Sequence, residues 1–351
     1  MTELKNFPPE RAAFYQDIDK HHMAPLWEVF RSLITPVPRP AAVPHCWHYH
    51  DVRDWVMRAG EVISAKEAER RVLVLENPGL RGQTRITNSI YAGLQLILPG
   101  EVAPSHRHSQ SALRFIIEGT GAYTAVDGER AYMERGDLIL TPPMTWHDHG
   151  SDGAEPTVWL DGLDIPIIQT FDASFLEGFP EESQPSTRSS GDSRSRYGRN
   201  MRPVDLKVVG GSSPVFCYPY QEYRETLEQM RGQDDWDPCH GLKMTFINPL
   251  SGGPVMPTMA AFVQLLPKDF SSLPYRSTDG TVYSVVDGRG RVEIDDFKVS
   301  VSPKDVFVVP SWSSFRLSAE EDMVLFSFSD RSAQQKLGIW RELRETSGEG
   351  E

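Results

Sequence analysis

The chain repeats itself, and this limits its fold more than any other feature. "RFIIEGTGAYTAVDG" (114–128) returns as "YSVVDGRGRVEIDD" (283–296), with Gly119 matching Gly288 and Gly121 matching Gly290. "GDLILTPPMTWH" returns as "KDVFVVPSWSSF", with Asp137 matching Asp305 and Pro142 matching Pro310, an offset of roughly 168 residues. Self-similarity over that distance means two copies of one domain. Each copy is built from short runs of β-branched and aromatic residues punctuated by Gly, Pro and Asp-Gly, so each is expected to be a sandwich or barrel.

The remaining segments read differently. "PPERAAFYQDIDKHHMAPLWEVFRSLI" carries Phe14, Ile18, Leu26, Val29, Phe30 and Leu33 at helical spacing, interrupted by proline. "AKEAERRVLVLENPGL" starts as a helix and ends before Pro78. "PEESQPSTRSSGDSRSRYGRN" is polar and rich in Ser and Arg, which predicts a mobile linker between the two copies. "YQEYRETLEQMR" predicts a helix, and "SAQQKLGIWRELRE" predicts a closing helix.

A formal net charge of −13 disfavours nucleic acid and anionic membrane surfaces as partners. It leaves room for a small anion held by local arginine and metal charge. No stretch approaches the roughly 20 apolar residues of a membrane span, and "MTELKNFPPERAAF" does not read as a secretory signal. Three cysteines, Cys46, Cys217 and Cys239, are too few and odd in number for a disulfide framework, which predicts a cytoplasmic protein.

The chemistry concentrates in "PSHRHSQSALRF" (104–115). On a strand, His106 and His108 point to one face, because side chains alternate with period two. In the second copy His106 becomes Tyr275, His108 becomes Ser277 and His147 becomes Phe315. Three independent surface histidines have no reason to disappear together, whereas a metal site kept in one copy does. The imidazole set alone does not select the metal: zinc, copper, nickel and iron all accept it. Arg114 sits at even spacing from His108 between apolar neighbours, which predicts an inward guanidinium able to grip a carboxylate. "HCWHYHD", with His45, His48 and His50, lacks a third ligand at matching spacing and reads as packing, as does the isolated Cys239-His240 pair.

"GEVAPSHRH…EG" resembles the first cupin motif and "GDLILTPPMTWH" the second, with Ala112 where the usual glutamate ligand falls and Met144 in place of a glycine. With "YAGLQLILPGE", "HRHSQSALRF" and "TPPMTWHDHG", the chain resembles the gentisate 1,2-dioxygenase family, which includes salicylate and 1-hydroxy-2-naphthoate dioxygenases. The resemblance implies an all-β bicupin (two double-stranded β-helix, or jelly-roll, barrels) with a helical N-terminal arm (1–75), a catalytic metal-binding cupin (76–178), a linker (179–205), a metal-free structural cupin (206–335) and a C-terminal helix (336–351).

It also implies Fe(II) held by His106, His108 and His147, and an Fe(II)-dependent extradiol-type cleavage of a 2-hydroxybenzoate by O2 between the carboxylate-bearing and hydroxylated carbons. With gentisate the product would be maleylpyruvate. Salicylate, its halo-, amino- or nitro- derivatives and 1-hydroxy-2-naphthoate are the alternative substrates. An isomerase or hydrolase using Zn or Ni, or a non-enzymatic bicupin, are alternatives of other classes. Arg114 and Gln95 would position the substrate, His149 would act on oxygen or a proton, and Arg70 and Tyr91 would line the pocket. Asp161 would orient His149 or a ligand histidine. Tyr91 replaces a tryptophan of salicylate-type members and favours gentisate. The family's usual state predicts a homotetramer.

Overall fold

The computed structural model describes residues 7–206, 211–232 and 236–345. The chain divides into residues 1–39 and 40–351. The first unit holds two helices, Pro9–Asp19 and Leu26–Leu33, each entered through proline. Within it the Trp27 indole donates to the Tyr15 hydroxyl at 2.8 Å, and Leu26, Trp27, Phe30 and Leu33 remain exposed.

The second unit contains two barrels, each made of a six-stranded and a five-stranded antiparallel sheet. In the front barrel the six-stranded sheet runs Cys217–Tyr218, Leu138–Thr141, Ala112–Glu118, Thr157–Leu163, Tyr91–Ile97, Val72–Val74. Its five-stranded sheet runs Leu176–Gly178, Val102–His108, His147–Ser151, Ala122–Val126, Glu129–Met133. The back barrel repeats the plan with His45–Trp47, Val306–Val309, Thr281–Asp287, Met323–Ser329, Ala260–Leu266, Leu242–Thr245 opposite Phe297–Val301, Gly290–Ile294, Phe315–Ala319, Tyr275–Ser277, Glu342–Arg344.

The two six-stranded sheets share one apolar layer. Leu113, Phe115 and Ile117 enter it from the front and Val324, Phe326 and Phe328 from the back. Phe115 and Phe326 stack with ring centroids 4.1 Å apart. These strands are therefore covered on both faces, which is why they read as unbroken apolar runs. The same layer fixes orientation: residues alternating with Leu113 and Phe115, including Ala112 and Arg114, face the barrel interior. Gly162 is required here, since a Cβ would lie 2.5 Å from the Phe328 ring.

Two strands cross over. His45–Trp47 precedes the front barrel in sequence but pairs with Val306–Val309 of the back barrel. Cys217–Tyr218 precedes the back barrel but pairs with Leu138–Thr141 of the front. Each is followed by a helix, Tyr49–Val62 or Tyr220–Arg231, whose first amide donates to an aspartate of the opposite barrel at 2.8 Å: Tyr49 to Asp305, Tyr220 to Asp137. The repeat thus extends to "CWHYHDVRDW" and "CYPYQEYRET". The predicted arm boundary at residue 75 is corrected accordingly, because His45–Trp47 and Val72–Val74 are barrel strands whose ladder hydrogen bonds lie in the two sheets.

Two further expectations are corrected. The segment 179–205 is docked on the front barrel rather than a free linker. Buried Gln184 accepts from the Gly128 amide at 2.7 Å and donates to the carbonyls of Ala125 and Trp146, both at 3.1 Å. Glu129 accepts from the Gly191 and Ser193 amides at 3.1 and 2.8 Å, at the start of the short helix Asp192–Tyr197. A polar composition there satisfies buried donors and acceptors instead of solvating a coil. The closing helix spans only Arg331–Lys336. Gly338, at φ +71, turns the chain, and Glu342–Arg344 joins the back barrel as a strand beside Tyr275–Ser277. Residues 346–351 of the expected helix lie outside the described residues.

Candidate metal and substrate site

His106 and His108 lie on one face of Val102–His108, and His147 begins the neighbouring strand directly opposite His106. Ring centroids are 5.3 Å (His106–His108), 4.6 Å (His106–His147) and 4.8 Å (His108–His147) apart. One nitrogen from each ring lies within 4.8 Å of the other two. The turn after Pro142 holds the arrangement: the Met144 amide donates to the His108 carbonyl at 2.7 Å. Met144 itself sits at φ +57, so it takes the left-handed conformation of the glycine it replaces.

Backbone carbonyls set two tautomers. His108 Nδ1 lies 2.9 Å from the Gln110 carbonyl and His147 Nδ1 lies 3.0 Å from that of Thr145. A carbonyl only accepts, so each Nδ1 carries the proton and each Nε2 keeps a lone pair. His147 Nε2 is buried without a hydrogen-bond partner among the described residues. A buried lone pair with nothing to accept from is costly, and a cation would satisfy it. Burial, followed by repulsion from Arg70, pushes the His106 pKa down to about 2; burial and Arg114 push His108 to about 4. His147 is held well below the ordinary range by the same effects. All three rings are neutral near pH 7, as metal ligation requires. Ala112 is fully buried and faces the interior, a methyl group where a fourth, acidic ligand would project.

Two arginines converge on the histidines. Arg70 donates to His106 Nε2 at 3.1 Å and to the Pro104 carbonyl at 3.0 Å. Burial and Arg114 lower its pKa to about 9, so it stays charged at neutral pH. Its neighbour Arg71 points elsewhere and pairs with Glu101. Arg114, 3% exposed, donates to Thr141 Oγ1 and lies 3.6 Å from Asp161 Oδ1. Parity from His108 does not fix the direction of Arg114, because the chain turns at residues 109–111 and changes sheet. The orientation comes instead from Leu113 and Phe115 entering the layer between barrels.

Asp161 differs from its expected role. It sits on Arg114 and accepts from the Trp159 indole at 3.0 Å, rather than orienting His149. Burial raises its pKa to about 6 against the pull of Arg114. His149, fully buried, is held by Thr124 Oγ1 at 2.9 Å, and its Nε2 has no partner among the described residues. Tyr91, Gly93 and Gln95 share the inward face of Tyr91–Ile97, since Ala92, Leu94 and Leu96 fill the layer between barrels. A Cβ on Gly93 would lie 3.3 Å from the Tyr91 hydroxyl and 2.4 Å from Val72, so glycine makes room for both. Burial and Asp161 raise the Tyr91 pKa, keeping the phenol protonated.

Thr124, Thr141 and Trp159 escaped the sequence reading. Trp159 could have been found, because it shares a strand face with Asp161; the two threonines carry no such signal. The other cluster with metal-ligand atoms among the described residues, Cys46, His48 and Asp305, is a hydrogen-bonded joint. His48 Nδ1 meets Asp305 at 2.9 Å, Ser302 donates to the same carboxylate, and burial with Asp305 pushes the Cys46 thiol up to about 12.

The model of the cupin domain matches residues 93–163. The chain is 56% identical to gentisate 1,2-dioxygenase 1 of Aquipseudomonas alcaligenes over 98% of this chain and 99% of that one. It is 35% identical to 5-aminosalicylate 1,2-dioxygenase of a Comamonas species, covering 97% and 92%. The crystal structure of salicylate 1,2-dioxygenase from Pseudoaminobacter salicylatoxidans with gentisate superposes with a TM-score of 0.91 at 32% identity, covering 99% of this chain and 97% of that one. With its paired barrels and its histidine triad confined to the front one, the chain belongs to the gentisate 1,2-dioxygenase family of ring-cleaving cupin dioxygenases.

Proposed function

We propose that the protein is an Fe(II)-dependent dioxygenase that opens the ring of a 2-hydroxybenzoate between the carboxylate-bearing and hydroxylated carbons, with gentisate as substrate and maleylpyruvate as product. The observation that carries this reading is the convergence of three neutral imidazoles with Arg70 and Arg114, and no acidic ligand, in one barrel. His106, His108 and His147 would hold the metal through nitrogen lone pairs. Iron, when bound, supplies undiminished positive charge and neighbouring open positions where a chelating substrate and dioxygen meet. The donor set alone also suits zinc and nickel; kinship with dioxygenases favours iron.

The chain's own groups supply the remainder. Arg114, braced by Thr141 and Asp161, offers a fixed fork to the substrate carboxylate. Arg70, half-buried beside His106, adds a second positive charge, which favours an anionic ring and disfavours a cationic one. His149 is neutral and buried, with Thr124 on Nδ1 and Nε2 free to hold or move a proton. Gln95 and the protonated Tyr91 hydroxyl give the pocket wall polar contacts that suit a second ring hydroxyl. The tryptophan of salicylate-type members is absent at Tyr91, which favours gentisate over salicylates. We further propose a cytoplasmic homotetramer, supported by the family and by the exposed Leu26, Trp27, Phe30 and Leu33 of the first unit.

Oxygen uptake by iron-loaded protein over a panel of 2-hydroxybenzoates tests this. Consumption of one O2 per gentisate, with a ring-opened absorbing product and slower turnover of salicylate and 5-aminosalicylate, is expected. Uptake with none of them would overturn the reading.

A further inference from the structure

The peptide between Gln110 and Ser111 is gripped at both ends. Its carbonyl accepts from His108 Nδ1 at 2.9 Å, and its amide donates to Asp164 Oδ1 at 2.9 Å. A peptide unit is planar and rigid. The place of the Asp164 carboxylate therefore fixes the direction of the carbonyl, and the carbonyl fixes the plane of the imidazole. Polarisation travels the same route. An amide given to a carboxylate makes its own carbonyl a stronger acceptor. A stronger acceptor on Nδ1 makes Nε2 a better donor to a metal.

Asp164 is itself held from the other barrel. It follows the strand Thr157–Leu163, is 1% exposed, and its second oxygen accepts from Thr258 Oγ1 at 2.5 Å. Thr258 lies just before Ala260–Leu266, and its carbonyl accepts from the Ala333 amide of helix Arg331–Lys336 at 3.2 Å. Burial raises the Asp164 pKa, whereas the Thr258 hydroxyl and then the Ser111 amide lower it, so both donors favour the charged carboxylate. The rest of the turn is tied within the front half: the Ser109 amide donates to the Phe175 carbonyl at 3.1 Å and Gln110 Nε2 to Ser174 Oγ at 2.8 Å. Thr258 carries the hold across to the back barrel.

The repeat builds this frame twice. Asp330 follows Met323–Ser329 and accepts from the Gly280 amide at 3.0 Å. It also accepts at 2.7 Å from Ser89 Oγ, and Ser89 precedes Tyr91–Ile97 of the front barrel as Thr258 precedes Ala260–Leu266 of the back. The Trp312 amide donates to the Ser277 carbonyl at 2.7 Å, as Met144 does to His108. The back copy of the frame orients no imidazole, since Ser277 stands where His108 does. The two joints are alike in their bonds and differ in what lies at the end of them.

We propose that Thr258 and Asp164 are positioning residues for the metal site. Through them and the Gln110–Ser111 peptide, the back barrel sets the orientation and donor strength of His108. The inference rests on reading His106, His108 and His147 as metal ligands. It gives the barrel without histidines a part in the chemistry of the other.

Release of Fe(II) from anaerobically loaded full-length protein to a chromogenic chelator tests it. Thr258→Val keeps the side chain's shape and removes the hydroxyl. Iron should leave it about three- to tenfold faster than wild type, a smaller effect than the roughly 10- to 100-fold typical of removing a ligand's direct hydrogen-bond partner. Asp164→Asn, uncharged at the same place, should behave alike, and it carries the test should Thr258→Val not fold. Thr258→Ser restores the hydroxyl and should bring the rate back to within about twofold of wild type. Ser89→Ala breaks the mirrored joint, which shares no partner with His108, so its iron release should stay within about twofold of wild type whatever its melting temperature. Equal release from Thr258→Val and wild type, or from Thr258→Val and Ser89→Ala, overturns the inference and leaves the metal site standing. A wild-type protein that takes up no iron overturns the metal site and the inference together.

Discussion

Lys304 of the back barrel reaches Glu118 of the front barrel at 2.8 Å, and Arg135 of the front repeats the bond in reverse, reaching Asp287 of the back at 3.1 Å. Arg53 also pairs with Glu118 through two guanidinium nitrogens. Burial alone would raise the Glu118 pKa, but hydrogen bonds from Arg53 and Lys304 outweigh it and hold the group near about 2. A depressed carboxylate stabilises the fold above its unfolded pKa of roughly 4.3, and that contribution disappears as pH falls toward 2. Glu118→Gln should therefore cost about 1–2 kcal/mol at pH 7, allowing for partial exposure of the pair. Thermal melts of both proteins should converge as the pH is lowered from 4.5 to 2.

Replacing His147 with alanine removes a proposed metal ligand whose Nε2 has no hydrogen-bond partner among the described residues. Metal analysis should show iron content below about a tenth of wild type. Oxygen uptake should vanish, and the melting temperature of the metal-free protein should change by less than about 3 °C.

Arg114→Gln removes the buried fork but leaves the imidazoles in place. Substrate affinity is expected to fall about 10- to 100-fold, the worth of charged hydrogen bonds in a buried site, with iron content unchanged. Asp161 survives the change by taking up a proton, since burial already raises its pKa to about 6. Steady-state kinetics beside metal analysis separates this outcome from loss of the metal.

Tyr91→Phe deletes one polar contact and keeps the ring. The ratio of kcat/KM for gentisate over salicylate should drop about tenfold, because a site built around a substrate hydroxyl discriminates through it. An unchanged ratio would remove Tyr91 from the specificity argument.

Glu129 anchors the segment 179–205 through the amides of Gly191 and Ser193. Despite its arginines, that segment should resist trypsin in the native protein. Glu129→Ala should open it to cleavage near Arg194 and Arg196, read by mass spectrometry, before any change in the barrels' melting temperature.

The features that could be read from the residues are those with long-range echoes in sequence. The repeat announces two barrels, and the joint loss of His106, His108 and His147 in the second copy marks the proposed metal site. Partnerships between distant strands were not legible. His45–Trp47 and Cys217–Tyr218 are too short to show a period, and each finds its hydrogen bonds far away in sequence. Asp161 was expected on a histidine because it shares the region with them; that it sits on Arg114 is settled by adjacent strands of one sheet, where the two residues are direct partners. The docked segment 179–205 misled because composition reports polarity and not whether buried backbone groups wait to receive it.

The crossed strands have a consequence for descent. Each half of the polypeptide lends its leading ribbon to the other and receives one back, the arrangement of a two-fold dimer whose identical chains trade arms. A single gene product of that design, doubled and fused, yields this topology without inventing any new contact. It also means that neither half made alone could cover its own open edge, while the two made separately in one cell would be expected to find each other.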